Sequence, residues 1–326
     1  MSGALARLTL RRSLASIKYL TPVPPKAARG LVAQVYGQVV RDFGMYAPPT
    51  ILHAPAPAAL AASWLLLRET LIAHGPAGRV SKEVVAAAVS QRNACPYCVD
   101  VHGATLYGLA RASTGDPSAA GLVAWTGGGE PDFPADQAPE LVGTAVTFHY
   151  LNRMVNVFLG ESPLPAGPPP AVHGRLLKML GLMMRPAAAR VAEPGLSLDL
   201  LPPAPIPADL SWAAGSPVIA DACARAYAAI GAAPSVSGGV RALVSARLAA
   251  WDGLPPGPSG AWADADVARM PADDRPAARL ALLTALGSYQ VGPSAVAGFG
   301  DRELVEITSW ASLAAAREMG ARLSVK

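Results

Sequence analysis

The sequence predicts an all-α protein, and three observations carry the prediction. Alanine dominates an apolar fraction of 52%, while aromatic residues make up only 6%, a balance that suits closely packed helices better than sheets. Between breaks, apolar residues recur at helical spacing. The breaks themselves are Pro- and Gly-rich and divide the chain into helix-length segments. At 326 residues the chain is long enough for one large or two medium domains with a substantial core.

The first 29 residues read as a basic arm, with Arg7, Arg11, Arg12 and Lys18 preceding the first acid, Asp42. Leu5, Leu8, Leu14 and Ile17 give it an amphipathic face, expected to lie on the protein or a neighbouring subunit. It has neither the continuous apolar core nor the cleavage site of a secretory signal. Pro22-Val23-Pro24-Pro25 closes it. Leu31, Val32, Val35, Val39 and Val40 then predict a helix over 30–43, with Gly44 as its C-cap. Pro48-Pro49 and Pro55-Ala56-Pro57 bracket a loop containing His53. A second helix over 58–73 turns Trp64, Leu65, Leu67 and Leu71 inward and stops at Gly75-Pro76. Its Ala58–Leu67 stretch is the richest apolar run, too short for a membrane span and bounded by Pro57 and Arg68-Glu69.

Ser81 is expected to cap a helix reaching Arg92, with Val84, Val85, Ala88 and Val89 inward and Glu83 near its start. Asn93 and Ala94 leave room for a sharp reversal. Pro96 suits the first turn of the next helix, where its missing N–H costs nothing, and the helix continues through 104–112 to Gly115-Asp116-Pro117. Gly127-Gly128-Gly129 follows no strand and opens no phosphate-binding pattern, which excludes a nucleotide loop. A strong helix spans 140–159. Residues 161–170 form a stiff, extended Pro-rich linker, followed by a short basic helix over 172–185. Its Leu176, Leu177, Leu180 and Met184 are expected to cover the first domain or a neighbouring subunit. After a second Pro-rich run, 201–207, helices are expected over 216–230, 240–251, 275–289 and from Asp301 towards Leu323.

The chemistry concentrates in Cys95-Pro96-Tyr97-Cys98-Val99-Asp100-Val101-His102. Cys98 falls in the first helical turn, where free N–H groups and the helix dipole favour a thiolate. His102 lies one turn on and on the same face, a base beside a sulfur nucleophile. Cys95 is close enough to form a disulfide with Cys98 after a first oxidation, and Glu83 is placed to orient His102 or relay its proton. A pair of buried small residues is the bland reading of the cysteines. A zinc site would take Cys95, Cys98 and His102, with His149 as fourth ligand only if its helix crosses the turn. No second Cys/His pair follows at metal-finger spacing. Val99 excludes the haem-attachment motif, and thioredoxin-like chemistry lacks its βαβ context.

Three cysteines in a chain of this length fit a reducing compartment, and a cytoplasmic protein is expected. The net charge of +4 is scattered without an aromatic-interleaved stripe, which argues against nucleic-acid binding. His53, His74 and His173 are expected to be solvated, Cys223 to be a buried core thiol, and Asn152 and Arg153 to be structural or interfacial.

Glu83, eleven residues, Cys95-x-x-Cys98, three residues, His102: this spacing resembles the signature of the alkylhydroperoxidase D and carboxymuconolactone decarboxylase superfamily. Ser90-Gln91-Arg92-Asn93-Ala94 and Gly103-Ala104 are also similar to that family, most sharply over residues 30–112. One departure is Tyr97, which stands where the best-known peroxidase members place a second histidine. The resemblance implies a helical bundle in which Glu83, Cys95, Cys98 and His102 are catalytic. It implies a thiol peroxidase acting on hydroperoxides, reduced by an external dithiol such as a lipoyl protein or a thioredoxin-like donor. It needs no metal, haem or flavin cofactor and assembles as a homo-oligomer. Phe148 to Arg153 resembles the family's terminal helix, which packs beside the redox turn and helps form subunit contacts.

Glu303-Leu304-Val305 echoes Glu140-Leu141-Val142, and the second half has no Cys-x-x-Cys. The implied organisation is a tandem of related helical units: an arm (1–29), a redox domain (30–160), a Pro-rich linker with a basic helix (161–209) and a degenerate second unit (210–326). A non-catalytic redox-responsive or assembly protein on the same scaffold is the alternative. Lactone decarboxylation, the superfamily's other namesake, does not require this dithiol.

Overall fold

A computed structural model describes residues 14–109, 119–164, 169–254 and 256–323. Most of the basic arm, the far end of the redox helix past residue 109 and part of the Pro-rich linker lie outside the described residues. Among the described residues the fold is all-α, with no strand and an isolated bridge between Ala73 and Ala192. No helix among them is long and apolar enough to cross a membrane.

The helices are α1 (Gly30–Phe43), α2 (Pro48–Ile51), α3 (Pro57–Leu67), α4 (Arg79–Arg92), α5 (Pro96–Leu109), α6 (Ala119–Trp125), α7 (Ala138–Phe158) and α8 (Pro170–Ala188). After them come α9 (Pro217–Gly231), α10 (Gly238–Ala249), α11 (Asp264–Ala268), α12 (Arg275–Gly287), α13 (Pro293–Val296) and α14 (Asp301–Leu323). Local chemistry explains the ends. Gly44 takes a left-handed conformation (φ 84°) after α1 and returns its N–H to Val40 O at 3.1 Å. Ser216 and Ser237 cap α9 and α10 through their hydroxyls.

Helix α7 is the axis of the molecule, buried on nearly every side and packed by α3, α4, α12 and α14. A helix covered all round must satisfy its polar side chains internally. Thr144 donates to Thr70 O, the Tyr150 hydroxyl lies 2.8 Å from His53 Nε2 and 3.2 Å from Ser309 Oγ, and Arg153 donates to Ala285 O and His149 O. His53 is therefore not solvated, as its loop setting suggests, but wholly buried, and burial takes its pKa down to about 4. Cys223 is a buried free thiol, as expected.

The second predicted helix does not run unbroken to Ala73. After Leu67 it widens into a π-turn over Arg68–Ile72, with Ala73 N–H bonded to Arg68 O at 2.7 Å. Buried Arg68 and Glu69 account for the distortion. Arg68 holds Asp42, Glu69 and Glu193 O, and Glu69 accepts from Gly195 N–H and Ser197 Oγ. This network ties the segment after α8 to the helical core.

The second half repeats part of the plan of the first. Helices α12 and α14 pack together as α4 and α7 do, and Glu303-Leu304-Val305 opens α14 as Glu140-Leu141-Val142 opens α7. Pro293 starts α13 just as Pro96 starts α5, but Gly292 and Ala295 stand where Cys95 and Cys98 would be. Both halves contribute to one continuous apolar core.

Helix α8 covers the first half, lying along α5 with Met184 against Thr105. Gly108 and Gly181 let the two backbones meet: a Cβ at Gly181 would overlap the Ala104 carbonyl, and one at Gly108 the Gly181 carbonyl. Gly181→Ala is expected to lower stability by roughly 1–3 kcal/mol, because backbone rather than a mobile side chain blocks the methyl. Denaturant unfolding reads the loss, and faster amide exchange confined to α5 and α8 locates it.

Candidate active site

The site forms where α4 reverses into α5. Asn93 N–H closes α4 on Val89 O, and Ala94 takes a left-handed conformation (φ 48°), rare for a residue with a Cβ. Cys95 N–H then bonds Ser90 O at 3.0 Å, and Pro96 starts α5 with Val99 N–H on Cys95 O at 3.1 Å. The reversal folds α4 back against α5, bringing Glu83 to His102.

Glu83 Oε2 meets His102 Nδ1 at 2.6 Å, with both side chains buried. Arg79, one turn earlier on α4, donates Nε to Glu83 Oε1 at 2.8 Å. Phe148 of α7 presses on His102 edge to face, with ring centroids 4.4 Å apart. Burial works to raise the Glu83 pKa, but Arg79 and His102 outweigh it and hold the carboxyl at about 2. The carboxylate is thus ionised and accepts the hydrogen bond from Nδ1–H, so the acceptor lone pair of the ring's neutral form is on Nε2.

A depressed carboxyl contributes stability that is fully present above the ordinary value of 4.5 and lost as the pH falls towards about 2. The size is on the order of 3 kcal/mol. Wild type is therefore expected to lose stability relative to Glu83→Gln across that window, as measured by urea unfolding at stepped pH.

Cys95 and Cys98 are free thiols, 1% and 3% exposed, flanking the first turn of α5. Burial, followed by the Cys95 hydrogen bond and charge, pushes the Cys98 thiol well above its usual pKa, while a hydrogen bond from Asn152 pulls the other way. The thiolate preference expected from the first turn is thus opposed by desolvation in the resting protein. The four residues come together as two pairs, Glu83–His102 and Cys95–Cys98. His102 sits one turn from Cys98 on α5 rather than hydrogen-bonded to it. Tyr97 is buried beside the cysteines, and burial, then the charges of Cys98 and Cys95, raise its pKa, so it stays a protonated phenol.

The Asn152 amide donates to Ser90 Oγ at 3.0 Å, and Asn93 Nδ2 donates to its oxygen at 2.9 Å. Asn93 Nδ2 also lies 3.1 Å from His149 Nδ1. His149 is buried and held neutral by burial and by nearby Arg153 and Arg92, and its Nε2 has no partner. Arg79 was legible as an i,i+4 partner of Glu83; Asn152 carried no local signal, since only packing of α7 brings it to the thiols. Among the described residues no three His, Cys, Asp or Glu side chains are grouped as a metal ion would require. Of the other histidines, His74 is exposed and His173 is partly exposed, 3.1 Å from Asp100.

Residues 58–114 match the model of the carboxymuconolactone decarboxylase family. The chain is 37% identical to an alkyl hydroperoxide reductase of Mycobacterium tuberculosis, an alignment that covers 93% of this chain and 94% of that protein. No solved structure matches it.

Proposed function

Because this chain belongs to the carboxymuconolactone decarboxylase family, we propose that it is a thiol peroxidase that reduces hydroperoxides through a Cys95–Cys98 dithiol–disulfide cycle. The observation that carries the reading is the buried thiol pair set one helical turn from an imidazole whose tautomer Glu83 fixes. The relative's name points to an alkyl hydroperoxide as the substrate class.

In the first step His102 Nε2 takes the Cys98 proton through a bridging water. The Cys98 thiolate attacks the distal peroxide oxygen, the O–O bond breaks, and the alkoxide takes a proton from the imidazolium to leave as an alcohol. Cys98 is now a sulfenic acid. Asn152 works against the raised Cys98 pKa and so favours the charged sulfur. The Cys95 sulfur then displaces the sulfenic hydroxyl, forming the disulfide and releasing water. An external dithiol, a lipoyl group or a thioredoxin-like protein, returns both thiols by exchange and leaves as its own disulfide.

One equivalent of cumene hydroperoxide added to reduced protein is expected to consume both thiols and leave a Cys95–Cys98 disulfide in the peptide map. In Cys95→Ser the same equivalent is expected to leave a dimedone-reactive sulfenic acid on Cys98. A sulfenic acid on Cys95 in Cys98→Ser would reverse the assigned roles. The near-complete burial of both thiols favours a second reading, a redox-responsive protein that oxidises once and changes partner or assembly. Turnover number separates the two.

A further inference from the structure

A cavity of about 170 Å³ is lined in part by Arg79, the residue that also holds Glu83. Its walls come from the end of the π-turn, the first turns of α4, the end of α5 and the segment after α8. The Ala73–Ala192 bridge and the His74 N–H bond to Ala192 O (2.8 Å) hold that last wall in place. π-turns are enriched at functional positions, and this one ends at the cavity's edge.

The lining divides by chemistry. Lys82, Arg79 and Arg190 are its basic members, Arg79 bonded to Glu83 and Arg190 to Arg41 O, while Leu71, Ile72 and Leu109 are apolar. Lys82 is the unusual member, a lysine only 1% exposed. Its ammonium donates to Ala73 O at 2.7 Å, but an ammonium has three donors. Burial pulls its pKa down to about 8, with Glu140 and Glu83 partly opposing. Both carboxylates are engaged elsewhere, Glu83 with Arg79 and His102 and Glu140 with Ala77 N–H. A buried cation in this state is costly unless something else completes its shell.

We propose that this cavity binds a small carboxylate with a short apolar body, its head on Lys82, Arg79 and Arg190 and its tail on Leu71, Ile72 and Leu109. The volume suits a molecule of a few heavy atoms, equivalent to roughly five or six waters. The site goes beyond the peroxidase reading and does not depend on it, because none of the contacts involves a thiol.

Isothermal titration of the whole protein with pentanoate, beside the neutral alcohol of the same chain length, pentan-1-ol, tests it. Wild type and Cys98→Ser are expected to bind pentanoate saturably, and pentan-1-ol much more weakly. Lys82→Met and Arg190→Gln are each expected to weaken pentanoate at least about tenfold. Arg190 is exposed, so its variant keeps the test decisive even where Lys82→Met fails to fold. No saturable heat from wild type, equal affinity in wild type and Arg190→Gln, or equal affinity for the alcohol would each overturn the proposal.

Discussion

Replacing Cys98 with serine is expected to cut peroxide turnover by roughly 10³-fold or more. A serine hydroxyl keeps the volume but is neither acidic nor polarisable enough to attack an O–O bond. Cys95 is not expected to rescue it, because in the proposed cycle it only resolves the sulfenic acid formed on Cys98. The measurement is the initial rate of cumene hydroperoxide loss with excess dihydrolipoamide. Cys95→Ser should behave differently, giving one fast equivalent and then stalling at the sulfenic acid. An unchanged rate in Cys98→Ser would move the chemistry to another residue.

Glu83→Gln is expected to reduce kcat/KM by about 10²-fold, within the range that proton-relay groups contribute. The amide is nearly isosteric and keeps the packing between α4 and α5. It lacks the charge that pairs with Arg79 and fixes the proton on His102 Nδ1. With that preference gone, Nε2 is no longer reserved as the acceptor for the thiol proton. A loss in kcat with little change in KM, read in steady-state kinetics, is the expected pattern, since Glu83 acts through His102 rather than on the peroxide. A purely structural Glu83 would lower stability while leaving the rate per folded molecule unchanged.

Much of this was legible in the chain, and the exceptions share a cause. Pro96 marked the start of α5, Gly44 the end of α1 and Pro217 the start of α9, because these residues act on their own backbone. The Glu83–His102 contact followed from the short reversal at Asn93-Ala94, itself a local feature. Ser81 did not cap α4. The helix starts two residues earlier at Arg79 after Gly78, and the Ser81 hydroxyl is buried without a partner. The π-turn, buried His53 and Lys82, and Asn152 at the sulfur all depend on contacts between segments far apart in sequence, which no spacing rule encodes. The balance at Cys98 is of the same kind: position in the helix favours a thiolate, but the depth at which α7 buries the turn does not.

The central claim is that the buried dithiol cycles. The most direct test counts peroxide equivalents consumed per protein chain, with cumene hydroperoxide and dihydrolipoamide both in large excess and the uncatalysed rate subtracted. The peroxidase account predicts continued consumption for many equivalents, abolished by Cys98→Ser. Consumption that stops after a single equivalent in wild type, with the disulfide formed and dihydrolipoamide still abundant, would contradict it and establish a protein that registers oxidation rather than removing its source.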